Sequence, residues 1–413
     1  MGFSSLGLNQ NLINAVSEQG YTEPTPIQVA AIPAILARQD IMAGAQTGTG
    51  KTAAFALPIL QQLCLKPVSD EPTRAIRALV LTPTRELAQQ VYNSFVKYGK
   101  HSELRSALVY GGASINTQIA VLEAGVDILV ATPGRLLDLM YKGTVDLGQV
   151  QSLVFDEADR MLDMGFIDEI KRIIKPIPAD RQTLLFSATF DDAIFKLSKS
   201  LLKDPQLIEV DARNTAAIQV EQIVYAVDAD RKRELTSHLI GARNWHQVLI
   251  FTRTKQGSDH LASEMCKDGI KAQAIHGDKS QGARERALEE FRAGKTRALV
   301  ATDVAARGLD IDQLKYVINY ELPYNAEDYI HRIGRTGRAG GTGLAISLLS
   351  EEENYLLEEI EAILDTRLPQ QWLPGYEPDL TKEVKVSRKN SHSAQKRRAK
   401  DRAFGKKPAK RRR

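Results

Sequence analysis

No apolar run in this chain approaches the roughly 20 residues needed to span a bilayer. The opening MGFSSLGLNQ lacks the basic segment and long apolar stretch of a secretory signal. The expectation is a cytoplasmic protein with no membrane contact. Cysteine is nearly absent: Cys64 and Cys266 are the only two, one in each half. That excludes a disulfide framework and fits a reducing compartment. No two of the seven histidines stand at metal-ligand spacing, which argues against a structural zinc site.

What is present is an ordinary globular composition with an uneven charge. Hydrophobic residues make up 43% of 413 positions, enough for each of two or three domains to bury a core. The net charge of +4 is split. Residues 382–413 hold fifteen Lys/Arg and two Asp/Glu, a net of +13, which leaves the body at −9. The stretch has almost no apolar residues and no periodicity, so it is expected to be a disordered basic tail. It is either a solubility tail or an arm for a polyphosphate partner.

The body alternates apolar, β-branched runs with helical spacing. In the first half the runs are RALVLT (77–82), VDILVAT (126–132), SLVFDE (152–157) and TLLFSAT (183–189). A second series follows: EQIVYAV (221–227), QVLIFT (247–252), AQAIHG (272–277), RALVATD (297–303), YVINYE (316–321) and LAISLL (344–349). Continuous apolar strands between helices predict an α/β fold with parallel sheets covered on both faces. One architecture is built twice. The expected divisions are a first domain over 1–208, a polar linker over 209–217, a second domain over 218–368 and a tail over 369–413. The three prolines of PQQWLPGYEPDL break regular structure after Leu368.

AQTGTGKT, between Ala45 and Thr52, is a Gly-rich turn leading into a helix. Backbone N–H groups and the helix N-terminus suit phosphate oxygens there. Gly48 and Gly50 permit the tight backbone, with Thr49 between them. Lys51 is placed for the β- and γ-phosphates of a nucleotide and Thr52 for Mg²⁺. Position 45 is Ala where the usual pattern has Gly. Directly after the run SLVF comes Asp156-Glu157-Ala158-Asp159. Asp156 fits the second anchor of Mg²⁺, and Glu157 can orient and deprotonate an attacking water. Far downstream, HRIGRTGR (331–338) brings arginines, with Arg335 lying 284 positions (335 − 51) beyond Lys51. One half therefore holds a nucleotide and the other supplies cations to it. The second half has no GKT loop of its own and should not bind a nucleotide independently.

With these motifs in order, the chain resembles DEAD-box ATP-dependent RNA helicases, most closely the bacterial RhlE-like subgroup, over roughly residues 2–368. The resemblance implies two tandem RecA-like domains and an ATPase that uses ATP and Mg²⁺. Hydrolysis would be stimulated by RNA and coupled to local, non-processive duplex unwinding or ribonucleoprotein remodelling. Phe3 and GYTEPTPIQ, ending at Gln28, resemble the motif that packs on and reads adenine. An Ala-first AQTGTGKT is the family's own form. PTRELA with Arg85, Gly111-Gly112, and TPGR with Thr132 and Arg135 match RNA-contacting motifs. Ser187-Ala188-Thr189 matches the segment coupling hydrolysis to strand separation. In the second half FTRTK (251–255), HGDKSQGAR with Gly277 and Arg284, and ATDVAARGLD with Thr302, Asp303 and Asp310 match RNA- and ATP-contacting stretches. Asp310 is implied as a ribose or water contact, His331 as a link to Ser187–Thr189, and Arg335 and Arg338 as arginine fingers. Arg332 reads better as structural than as catalytic. The RNA motifs are short, polar and Gly-containing, without aromatic platforms. This predicts recognition of backbone and 2′-OH groups without reading base sequence. Ribosomal particles and RNA-decay machinery are the partners such chemistry suggests.

Overall fold

The computed structural model describes residues 2–44, 49–65, 74–190, 192–209, 220–306, 311, 314–337, 343–379 and 381. They form two compact units, each around one seven-stranded parallel sheet. The first sheet holds β1 (Ile41–Gly44), β2 (Ala78–Leu81), β3 (Ser106–Val109), β4 (Ile128–Ala131), β5 (Ser152–Phe155), β6 (Gln182–Ser187) and β7 (Gln206–Glu209). Its order is β3-β4-β2-β5-β6-β1-β7. The second holds β8 (Val220–Ala226), β9 (Val248–Thr252), β10 (Ala272–Ile275), β11 (Ala298–Thr302), β12 (Tyr316–Asn319), β13 (Gly343–Leu349) and β14 (Gln370–Gln371). Its order, β10-β11-β9-β12-β13-β8-β14, repeats the first position by position.

The central strands are largely apolar because both faces are covered. Along β2, Ala78 and Val80 join one core with Phe55, Phe95 and Phe186, while Leu79 and Leu81 join another with Phe155 and Met161. The second sheet divides likewise. Val248 and Ile250 pack with Trp245 and Met265, whereas Val224 and Ala345 pack with Tyr329 and Leu356. Parallel strands joined through helices put every strand's carboxyl end on the same edge, and the loops there form each unit's working edge.

Two expected boundaries move. Regular structure does not stop at Leu368. Gln370–Gln371 pair with Val224 and Tyr225 as a seventh strand, and Leu373 and Tyr376 pack on the second unit's core. Two residues of edge pairing and two apolar anchors suffice to hold the proline-rich segment down. Glu209, expected to open the linker, instead closes β7 against Gly44. Positions 210–217 of that linker and the basic segment 382–413 lie outside the described residues.

Candidate nucleotide site and nucleic-acid edge

Along the first sheet's working edge, the phosphate-loop lysine and the two carboxylates follow β1 and β5, with β6 between them. Gly50 caps the helix Lys51–Cys64 in the left-handed region, at φ 91°. A Cβ there would run into Gln28 Nε2 and stand 2.9 Å from Thr25 Oγ1, so glycine is required on two counts. Gln28, buried on the helix Pro26–Leu36, donates through Nε2 to the Gly50 carbonyl at 3.1 Å and accepts from the Thr25 amide at 3.0 Å. Its carboxamide fastens the phosphate loop to a capping box, Thr25-x-x-Gln28, which was readable in the sequence. Phe3 is buried in the first core.

Lys51 is 6% exposed, Asp156 2% and Glu157 7%. At such burial each should be fully paired, yet among the described residues Lys51 Nζ, Asp156 Oδ1 and Glu157 Oε2 have no hydrogen-bond partner. Burial pushes the Asp156 carboxyl up to about 6, and the neighbouring Glu157 and Asp159 charges add to the rise while Lys51 opposes it. Glu157 itself sits at φ 56°, ψ 56°, a left-handed conformation that costs a non-glycine residue on the order of 1–3 kcal/mol. The strained turn is the N-cap of the helix Ala158–Asp163. Ser187, fully buried at the end of β6 beside Gly44, also leaves its hydroxyl unpartnered among the described residues. Thr52 lies half-buried in the first turn of the phosphate-loop helix. Three charged atoms and one hydroxyl are thus buried without partners among the described residues. A Mg²⁺-bound triphosphate is compatible with this donor set: Thr52 and Asp156 would hold the ion and Lys51 would meet phosphate. Gly48 lies outside the described residues; Thr49 is described at the loop's end.

One tie was missed by sequence reasoning. Asp159 Oδ2 accepts from the Ala188 amide at 3.2 Å and from Thr189 Oγ1 at 3.4 Å, joining the acidic tetrad to the segment after β6. The sequence gives a reason for Asp156 and Glu157 but none for Asp159, whose partner lies 29 positions away.

The other half of this edge follows β3, β4 and β2. Arg85 opens the helix Arg85–Tyr98 and lays its guanidinium over Gly112, where a Cβ would overlap Nη1 and stand 2.6 Å from Cζ. Gly112 has φ 86°, and Gly111 is 3.9 Å from Arg85 Nη2 by the same construction. Thr132 is the N-cap residue of the helix Pro133–Tyr141. Arg135 donates through Nη1 and Nη2 to the Ala113 carbonyl at 3.1 and 3.2 Å. The structure therefore brings Arg85, Gly111, Gly112, Thr132 and Arg135 onto three adjacent strand ends.

In the second unit the matching strand ends, of β10, β11 and β9, carry the corresponding motifs. Lys255 Nζ pairs with Asp278 at 2.5 Å, and its Cε lies beside Gly277. Thr302 closes β11 and is buried. The Asp303 carboxylate is engaged from both sides by Arg332, at 2.5 Å from Nε and 2.8 Å from Nη2. Arg332 is 1% exposed, also donates to Asn319 and the Glu321 carbonyl, and lies over the Phe251 ring. It is a structural strut, as the sequence suggested. It ties the helix Ala326–Ile333, which carries His331, to the end of β11. Arg335 is buried just beyond that helix, and Arg284 is buried within the helix Gln281–Arg292. Asp310 and Arg338 lie outside the described residues.

Comparison with known proteins agrees with this arrangement. Residues 25–197 match the model of the DEAD/DEAH box helicase family, and residues 231–340 match that of the helicase conserved C-terminal domain. The chain is 40% identical to the ATP-dependent RNA helicase CshA of Listeria monocytogenes, over 93% of this chain and 73% of that protein. It is 42% identical to the ATP-dependent RNA helicase RhlB of Pseudomonas syringae, over 89% and 93%. Among solved structures, S. cerevisiae Dbp5 bound to RNA and ADP BeF3 superposes with a TM-score of 0.81 at 32% identity, over 90% of this chain and 95% of that one. The two family models and relatives at 40% and 42% identity place the chain in the DEAD-box RNA helicase family, to which it belongs.

Proposed function

We propose that this chain is an RNA-dependent ATPase that separates short RNA duplexes or remodels ribonucleoprotein. The observation that carries the reading is the trio Lys51, Asp156 and Glu157, buried with unpaired charged atoms at the ends of β1 and β5. An unpaired buried charge costs several kcal/mol, and a fold keeps that cost where a ligand offsets it. A nucleotide triphosphate offers phosphate oxygens to Lys51. Mg²⁺, when bound, neutralises charge on those phosphates. Glu157 orients the attacking water and takes its proton.

Arg335 and Arg338 act as arginine fingers, a role worth roughly 10³–10⁵ in rate, or about 4–7 kcal/mol of barrier. RNA that engages both units would switch hydrolysis on by bringing fingers and phosphates together. Asp310 serves the ribose, and His331 answers to Ser187–Thr189. Gln28 reads the adenine edge and Phe3 supports the base. Arg85, Gly111, Gly112, Thr132 and Arg135 contact RNA in the first unit. Gly277, Arg284, Thr302 and Asp303 do so in the second, through backbone and 2′-OH groups. With Glu209 in β7 and Gln370–Gln371 in β14, the domain limits we favour are 1–209 and 218 to about 379, joined by a linker. Within the family we favour the RhlE-like subgroup on sequence resemblance. We place the protein in the cytoplasm, where the free thiols of Cys64 and Cys266 would stay reduced.

Glu157→Gln tests the core of this reading. The variant should bind ATP and RNA while its RNA-stimulated turnover falls roughly 10²–10⁴-fold, the scale of a lost general base. Normal steady-state turnover would remove Glu157 from its role.

A further inference from the structure

The two sheets share one strand order, so every element of the nucleotide site has a counterpart in the second unit. β8 takes the place of β1, β12 that of β5 and β13 that of β6. Lys51 is the first residue of the helix after β1, and Lys232 is the first residue of the α-helix after β8. Glu157 is the second residue beyond β5, and Glu321 is the second residue beyond β12. The second unit thus retains a lysine and a glutamate at these two counterpart positions.

Their surroundings differ. Lys51 Nζ is unpaired, whereas Lys232, 4% exposed, is fully engaged. Its ammonium donates to the Leu348 carbonyl at 2.8 Å and the Tyr320 carbonyl at 3.2 Å, and pairs with Glu353. Glu353 is buried at the end of a 3₁₀ turn after β13, and Ser350 donates to it through its hydroxyl at 3.0 Å. The same carboxylate pairs with Arg253, the first residue past β9. The Arg253 backbone amide donates to Glu321 at 2.7 Å, and its guanidinium lies 4.8 Å from the Tyr324 ring centroid. Burial, and after it the Arg253 cation, push Lys232 down to about 7, with Glu321 and Glu352 opposing. Two cations this close are held together by the carboxylate they share.

We propose that Glu353 is a positioning residue. With Lys232 it turns the second unit's counterpart of the nucleotide site into an internal ion lock that fixes Arg253 for a nucleic-acid phosphate. A carboxylate from the unit's own chain stands where a ligand would neutralise the lysine, so no nucleotide is needed to complete the site. Arg253, Thr254 and Lys255 form the turn at the end of β9. Thr254 caps the following helix by accepting from the Gly257 amide at 2.9 Å, and Lys255 reaches the β10 loop at Asp278. Fixing Arg253 therefore fixes a cationic turn between two strand ends. The inference rests on the RNA contact that the resemblance of FTRTK (251–255) implies for that turn, and the experiment separates the two.

RNA-stimulated ATPase is measured on the full chain for Arg253→Ala, Glu353→Gln and the double variant, together with thermal melting. Glu353→Gln should raise the half-saturating RNA concentration roughly tenfold, and by more than it lowers turnover at saturating RNA. The double variant should be no weaker than Arg253→Ala alone, because Glu353 acts through Arg253. If Arg253→Ala weakens RNA use while Glu353→Gln changes only the melting temperature, or if the two effects add, the positioning role is wrong. If Arg253→Ala leaves RNA use unchanged, the turn does not bind RNA and the proposal falls with that reading. Should Glu353→Gln melt below the assay temperature, the pair Lys232→Met with Glu353→Gln, which removes one charge of each sign, takes its place under the same criteria.

Discussion

The Asp159 carboxylate accepts a hydrogen bond from the Ala188 amide at 3.2 Å, joining the acidic tetrad after β5 to the segment after β6. Thr189 adds its hydroxyl to the same oxygen at 3.4 Å. The residue two positions from the proposed general base thus holds the stretch assigned to coupling. A shift of the tetrad around a γ-phosphate would be passed on through two hydrogen bonds, without a long chain of packed side chains.

Asp159→Ala should therefore separate the two activities. Hydrogen bonds to a charged acceptor contribute about 1.5–3 kcal/mol each, so loss of the tie should cost duplex separation on the order of tenfold or more. RNA-stimulated ATP turnover should fall by less. Parallel measurement of phosphate release and strand displacement checks this. Equal losses in both would show that Asp159 serves hydrolysis itself.

Gly112→Ala tests the nucleic-acid edge of the first unit. The new methyl would overlap Arg85 Nη1, and the backbone would have to hold φ 86° with a side chain. The conformation alone costs on the order of 1 kcal/mol, and Arg85 must swing away. The expected outcome is RNA binding weakened by about tenfold or more, with nucleotide binding unaffected because the loop lies on the far side of β5. Arg85→Ala should weaken RNA binding similarly, and adding Gly112→Ala to it should do little further harm. Full additivity would mean that Gly112 acts on RNA independently of the arginine.

Much of this was legible in the chain because the strands that carry the chemistry are central. β2, β4, β5 and β6 are buried on both faces and read as apolar runs with polar residues only at their ends. Strands without an apolar run lie at or near the sheet edges. β3 alternates buried and half-buried residues, β7 shows one buried residue in four, and β14 has two exposed glutamines held only by backbone pairing. β1 is as long as β2, β4 and β5, but IMAG runs straight into the Gly-rich loop, so no turn marks its end. At the site, Lys51, Asp156 and Glu157 were readable because their spacing is local to one strand end each. The ties of Asp159 to Ala188, Arg332 to Asp303 and Lys232 to Glu353 span 29, 29 and 121 positions. No local pattern announces such pairs, since they exist only once the sheet order is set.

The basic segment 382–413 makes a prediction that needs only its charge. If it meets about five phosphates of single-stranded RNA, it adds roughly −3.5 to the slope of log affinity against log salt. Between 50 and 200 mM salt that slope changes its contribution about 100-fold. Deleting 382–413 should therefore weaken RNA binding about 100-fold more at 50 mM than at 200 mM, as a salt titration of RNA binding by the full and shortened chains would reveal. RNA-independent ATPase should stay the same, because Lys51, Asp156 and Glu157 lie in the first unit and owe nothing to the segment. An unchanged slope after deletion would leave the fifteen cations as a solubility device, and RNA affinity would then rest on the two working edges alone.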